Sequence, residues 1–185
     1  MNCRIWLDLE TTALDPTSGH ILEVAVVATE SDAPAYAEVA SQTWCVGAAP
    51  LPPTTWADLM PEAVLRMHTA SGLLRDVETR GTPLAVVEAE LVRFLGYFGN
   101  PAPGREPIAG FSSHFDVAWL AVHLPHARRY FSHRTFDAST LRQLARDLGR
   151  GDIVSGADGA AHRALADCRQ AANCARAVAR LLGTR

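Results

Sequence analysis

Two runs near the start of the chain leave little choice but strand. Residues 5–9 and 21–29 are dense in branched and aromatic apolar residues, and Asp15-Pro16-Thr17-Ser18-Gly19 between them has the composition of a turn. A third strand is expected within residues 35–46, which makes the opening segment an antiparallel three-strand meander. A Pro-rich loop over 47–53 follows, then two short helical pieces over 55–60 and 69–77. The clearest helix is expected to start with Thr82 as N-cap and Pro83 in the first turn. Its apolar face carries Leu84, Val87, Leu91 and Leu95, and Gly99-Asn100-Pro101 stops it. Beyond it the sequence predicts a strand over 107–111, a helix from near Asp116, a strand over 135–138, and a helix carrying Leu141, Leu144 and Leu148. A loop over 151–159 and a last helix over 162–182 complete the chain. Three leading strands followed by alternating helices and strands predict an α/β fold, a mixed sheet flanked by helices. With 185 residues, 48% of them hydrophobic, the chain suits one sizeable core and a single domain over 1–185.

Charge and cysteine usage narrow the function classes. Seventeen basic residues, all arginine, face 20 acidic ones, for a net charge of −3 and no basic tail. A protein that coats long nucleic acid carries a basic surface, so any nucleic-acid ligand here should be short or held by a local site. No apolar run reaches the roughly 18 residues of a membrane span, and Asp8 comes too early for a secretory signal. The cysteines at 3, 45, 168 and 174 show no metal or C-x-x-C spacing and read as reduced thiols of a cytoplasmic protein.

Three segments carry chemistry. In Trp6-Leu7-Asp8-Leu9-Glu10 the two acids share one face of a strand, about 7 Å apart along it. Paired carboxylates on a central strand need compensation, for which a divalent cation is the usual source; the alternative is a strand end open to solvent. In Gly110-Phe111-Ser112-Ser113-His114-Phe115-Asp116 a strand ends in small polar residues before a helix, a place where α/β proteins put sites. Asp116 there is either part of a site or an acid that favours the helix dipole. In His162-Arg163-Ala164-Leu165-Ala166-Asp167 a histidine after a Gly-rich loop precedes an acid one turn into a helix. That pairing suits a base approaching a reacting water, or simply an exposed His beside a surface Asp.

Taken together, Asp8, Glu10, Asp116, His162 and Asp167 in this order resemble the DEDDh group of 3′→5′ exonucleases, whose fold is RNase H-like. Within that group the chain is similar to the oligoribonucleases. The opening Trp6-Leu7-Asp8-Leu9-Glu10-Thr11-Thr12-Ala13-Leu14-Asp15-Pro16, the run His68-Thr69-Ala70-Ser71-Gly72-Leu73, and Tyr130-Phe131-Ser132-His133-Arg134-Thr135-Phe136-Asp137-Ala138-Ser139-Thr140-Leu141 all resemble that family. The resemblance implies hydrolysis of short RNA, with DNA a second possibility, to 5′-mononucleotides. Asp8, Glu10, Asp116 and Asp167 would bind two divalent cations, Mg²⁺ or Mn²⁺, and His162 would serve as the base. It implies further that Leu14 wedges against the terminal bases and that His68, Ser112 and Ser113 line the pocket. His133, Arg134 and Ser139 would cap a 5′ phosphate from the second subunit of a homodimer. Two positions depart from the family: Ala63 stands where a Trp precedes the His by five residues, and His133 where a Tyr precedes the Arg. Trp56 is the aromatic that could replace the missing Trp. The segment around Asp116 is closer to the general proofreading-exonuclease form. A broader DEDDh exonuclease trimming single-stranded DNA or RNA is therefore the alternative. A noncatalytic nucleic-acid-binding module ranks below both, because no carboxylate is lost.

Overall fold

The structure, a computed structural model, describes residues 3–31, 35–47, 55–100, 102–151 and 162–183. Its centre is β1 (Cys3–Thr11), which pairs antiparallel with β2 (Ile21–Glu30) on one side and parallel with β4 (Glu106–Gly110) on the other. With β3 (Glu38–Cys45) and β5 (Phe131–Asp137) at the two edges, the order is β3-β2-β1-β4-β5. The predicted meander and mixed sheet are both present.

Strand alternation assigns the two faces of β1. Ile5, Leu7 and Leu9 enter the larger core, packed with Val87, Leu91, Phe94 and Leu95 of α4 (Leu84–Phe98) and Trp119 and Leu120 of α5 (His114–His123). Trp6, Asp8 and Glu10 therefore face the other way. On that face lie α7 (Ala138–Asp147) and α8 (Ala164–Gly183), with Trp6 packed in a second core with Ala164, Cys168, Ala171, Ala172 and Ala175. These small residues let α8 lie close against the sheet, which brings side chains from its first turn over β1. The register slips where Glu10 pairs with Glu23 but Thr11 pairs with Ile21. Leu22 is the extra residue of this bulge, which bends the strand end beside the acids.

Several boundaries differ from the sequence expectation. The helical region after α1 (Trp56–Leu59) is two helices, α2 (Glu62–Ala70) and α3 (Leu73–Arg80), because Gly72 adopts φ 74° and ends the first. Thr82 does not cap α4; Pro83 holds that position. Thr82 instead bridges to Val46, its N–H donating to the Cys45 carbonyl (2.8 Å) and its carbonyl accepting from Gly47 (3.0 Å). The α5 helix begins at His114, two residues before Asp116, and β5 begins at Phe131 rather than 135. A short α6 (Pro125–Arg128) stands between them. The last helix begins at Ala164, leaving His162 outside it. Most of the loops expected over 47–53 and 151–159 lies outside the described residues. Among the described residues no helix is long and apolar enough to cross a membrane.

The bridge at Thr82 depends on a close backbone approach. A Cβ on Gly81 would sit 2.3 Å from the Gly47 Cα and 2.5 Å from the Val77 carbonyl oxygen, with backbone on both sides and no side chain to move. Gly81→Ala is expected to destabilise by about 2–3 kcal/mol, lowering Tm by about 5–10 °C. Thermal unfolding of the variant checks this, and an unchanged Tm would mean the two segments are not so close.

Candidate active site

Asp8 and Glu10 come from the C-terminal part of β1, and Asp167 comes from the first turn of α8. Carboxylate oxygens of the three lie within 4.8 Å of one another. Asp116, in the first turn of α5, is 2% exposed, and its Oδ1 is buried without a hydrogen-bond partner. Asp116 is not one of the three that converge, but its charge bears directly on Asp8.

The electrostatics are those of crowded acids short of positive charge. Burial, then the charges of Asp116, Glu10 and Asp167, push the Asp8 carboxyl well above the usual carboxylate range. Burial likewise holds Asp116 well up, although backbone hydrogen bonds pull the other way. Glu10 is pushed up to about 8, first by burial and then by Asp167 and Glu23. Asp167 is also raised by burial, with His162 opposing. Burial and crowding of like charge favour a proton, or a cation in its place, on such groups. Hard carboxylate oxygens, close together and with one buried oxygen unpartnered, fit a hard divalent ion such as Mg²⁺ or Mn²⁺.

His162 is exposed just before α8, at φ 42°, close enough for its charge to bear on both Asp167 and His68. His68, from α2, is fully buried. Its Nε2 lies 3.0 Å from the Thr11 carbonyl, which can only accept, so Nε2 carries the proton. Nδ1 then turns a lone pair towards Glu10, 3.8 Å away. Burial lowers the His68 pKa. His68 lies beneath Glu10 with its Nδ1 unpartnered and presents no surface to solvent. Ser113 is also fully buried, whereas Ser112 is exposed.

Ser112 sits at φ 49°, a strained position for a non-glycine residue. It is held there by Asp137, the cap of α7, whose Oδ1 accepts from the N–H groups of Ser112 (3.2 Å) and Ser139 (2.8 Å). The Ser112 and Ser139 hydroxyls are 3.3 Å apart within this one chain. Ser139 thus neighbours Ser112 within a single protomer. His133 and Arg134 lie exposed on edge strand β5, which runs directly into the helix that carries Ser139.

Leu14 is 86% exposed on the β1–β2 turn. That turn is held firmly: Asp15 accepts from the N–H and hydroxyl of Thr17 at 2.8 Å, and Thr12 N–H donates to the His20 carbonyl. From α5, His123 Nε2 donates to the Pro16 carbonyl at 2.7 Å, and its ring stacks on Trp119. Ala63 is exposed on α2, and Trp56 lines a separate cleft with His20, Ile21 and Leu84, its indole N–H donating to Glu78 at 2.7 Å.

Two residues that the sequence reading missed shape the site. Glu23 is 1% exposed on β2 opposite Glu10, and Arg163 forks onto it. The available signal was an acid inside an otherwise apolar run, Ile21-Leu22-Glu23-Val24-Ala25-Val26-Val27.

Residues 5–175 match the family described as Exonuclease, RNase_T. The chain belongs to this exonuclease family. Among curated relatives of this exonuclease, the oligoribonuclease of Idiomarina loihiensis is 33% identical over 169 residues, covering 90% of this chain and 86% of its own. That of Streptomyces avermitilis is 34% identical over 172 residues, covering 92% and 82%. In solved structures the fold is matched by an E. coli exonuclease I complex with single-stranded DNA (TM-score 0.71, 14% identity). Exonuclease I from Methylocaldum szegediense also matches, with TM-score 0.68 and 20% identity. Each covers all of this exonuclease, which spans 42% of either chain. The expected RNase H-like α/β architecture is thereby confirmed.

Proposed function

We propose that this exonuclease is a metal-dependent 3′→5′ exoribonuclease that degrades short oligoribonucleotides to 5′-mononucleotides, with residues 1–185 forming one catalytic domain. The observation that carries the reading is the convergence of Asp8, Glu10 and Asp167 within 4.8 Å, next to a buried, unpartnered Asp116 oxygen. The relatives named oligoribonuclease supply the substrate class.

On this reading Asp8, Glu10, Asp116 and Asp167 hold two divalent cations, Mg²⁺ or Mn²⁺. Bound there, the ions supply Lewis acidity for the attacking water and the departing 3′ oxygen. The protein's own side chains do the rest. His162 takes the proton of the attacking water, and the exposed approach to α8 gives its ring room to reach and release it. Leu14, on its braced turn, wedges against the terminal base, so substrate ordering is largely prepared in advance. The Ser112 and Ser139 hydroxyls, 3.3 Å apart, receive the 5′ phosphate. His133 and Arg134 complete that cap from the partner in a homodimer. His68 and Ser113 lie buried beneath the site, Ser113 at the start of α5. The protein works in the cytoplasm on single-stranded oligomers of a few nucleotides.

The decisive measurement is a length series: end-labelled RNA and DNA oligomers of 2–20 nucleotides with Mg²⁺ or Mn²⁺. RNA dinucleotides are expected to be cut with kcat/KM at least about tenfold above the 20-mer, because a capped pocket loses contacts when the strand must continue past it. Equal values would remove the cap. The second reading, a broader single-strand trimming exonuclease, is favoured by exposed Ala63, which offers no ring for a base to stack on. Equal rates on RNA and DNA of every length would select it.

A further inference from the structure

We infer that Arg163 is the positioning residue of His162, an anchor that fixes where the base enters α8. The inference rests on the reading of His162 as the base. His162 stands at φ 42° and is exposed. The next residue is held at several points. Arg163 Nε lies 3.1 and 3.2 Å from the two carboxylate oxygens of Glu23, and its terminal nitrogen donates to Glu23 at 2.7 Å. The other terminal nitrogen meets Asp76 of α3 at 2.9 Å and reaches towards the Ser71 carbonyl at 3.5 Å. Glu23 also accepts the Ala164 N–H at 2.8 Å and so caps the helix from across the sheet. A planar guanidinium meeting two acids from different elements is a geometry that a lysine cannot reproduce. The anchor ties the start of α8 to β2 and α3, immediately after the peptide that carries the base. Because Glu23 sits opposite Glu10, Arg163 also sets a positive charge beside the acid that neighbours the cation-binding group.

A purely structural ion pair would change stability and leave turnover alone below the unfolding transition. The test is a double-mutant cycle on kcat with 5′-phosphorylated diadenylate as substrate. Arg163→Met, which keeps the aliphatic stem, is expected to lower kcat about 10- to 100-fold, the cost of a misplaced catalytic group. KM should stay within about twofold and the Mn²⁺-induced rise in Tm should be retained. In the His162→Ala background the same substitution should cost less than about twofold, because the group it positions is gone. If Arg163→Met cannot be folded with Glu23 left unpaired, the Arg163→Met/Glu23→Gln pair removes the charges together and keeps an acceptor for Ala164. An unchanged kcat in the folded variant, or an equal loss with and without His162, would overturn the anchor. An unaltered rate in His162→Ala alone would instead overturn the base, and this inference with it.

Discussion

Replacing Asp8 with asparagine should abolish hydrolysis while making the metal-free protein more stable. The two effects have one origin. Asp8 shares a space 4.8 Å across with the carboxylates of Glu10 and Asp167, and Asp116 adds its charge nearby. With a cation bound, that cluster is the working part of the site, and losing one ligand is expected to lower kcat/KM at least about 10³-fold, or about 4 kcal/mol of barrier. Without a cation the same cluster is a liability, because like charges are held together in a partly desolvated place. The neutral amide relieves it, so Tm in EDTA should rise, and the upward shift on adding Mg²⁺ or Mn²⁺ should shrink. Wild-type stability should also depend on pH in a definite sense. Glu10 is raised from 4.5 to about 8 in the folded state, and Asp8 and Asp116 are raised too. A raised carboxyl binds its proton more tightly when folded than unfolded. Its contribution is full below the unfolded value and is lost as pH rises through the folded one. Metal-free Tm should therefore fall between about pH 4.5 and 8, and divalent cation should flatten the curve. Thermal scans in EDTA and in Mn²⁺ across this range measure both effects. An active Asp8→Asn protein, or a metal-free Tm that climbs with pH, would contradict the clustered-acid site.

His162→Ala should lower kcat by about 10²–10⁴-fold, the range for loss of a general base, and leave cation-induced stabilisation intact. The separation follows from where the ring sits. It is exposed ahead of α8, outside the group of three carboxylates that converge, yet close enough to influence Asp167. Metal titrations followed by Tm should superimpose for wild type and variant, while single-turnover rates diverge. A full rate would take His162 out of the chemistry. A lost cation response would make it a ligand.

Much of this was legible in the sequence because it is written in short-range patterns. The period-2 alternation of β1 places Asp8 and Glu10 on one face, and the 3.6-residue recurrence of Val87, Leu91 and Leu95 marks the core side of α4; both hold in the structure. The break at Gly72 was missed because a single glycine within a helical pattern does not reveal its φ. Accessibility was missed for a different reason. His68 and Ser113 sit in motifs that point to a substrate pocket, but whether a side chain reaches solvent depends on what folds over it, and here both are covered. Arg163 and Glu23 were passed over because their partnership spans 140 residues of chain and neither is unusual within its own helix or strand.

The close seating of α8 on the sheet leaves Cys168 with no route to solvent, its Sγ 3.6 Å from the Ala25 carbonyl and directly below the acids. Burial together with Asp8, Asp116 and Asp167 drives its thiol well above the ordinary value, so the nucleophilic thiolate is essentially absent. Iodoacetamide is thus expected to leave Cys168 unmodified in the folded protein, even though this thiol lies beneath the clustered acids.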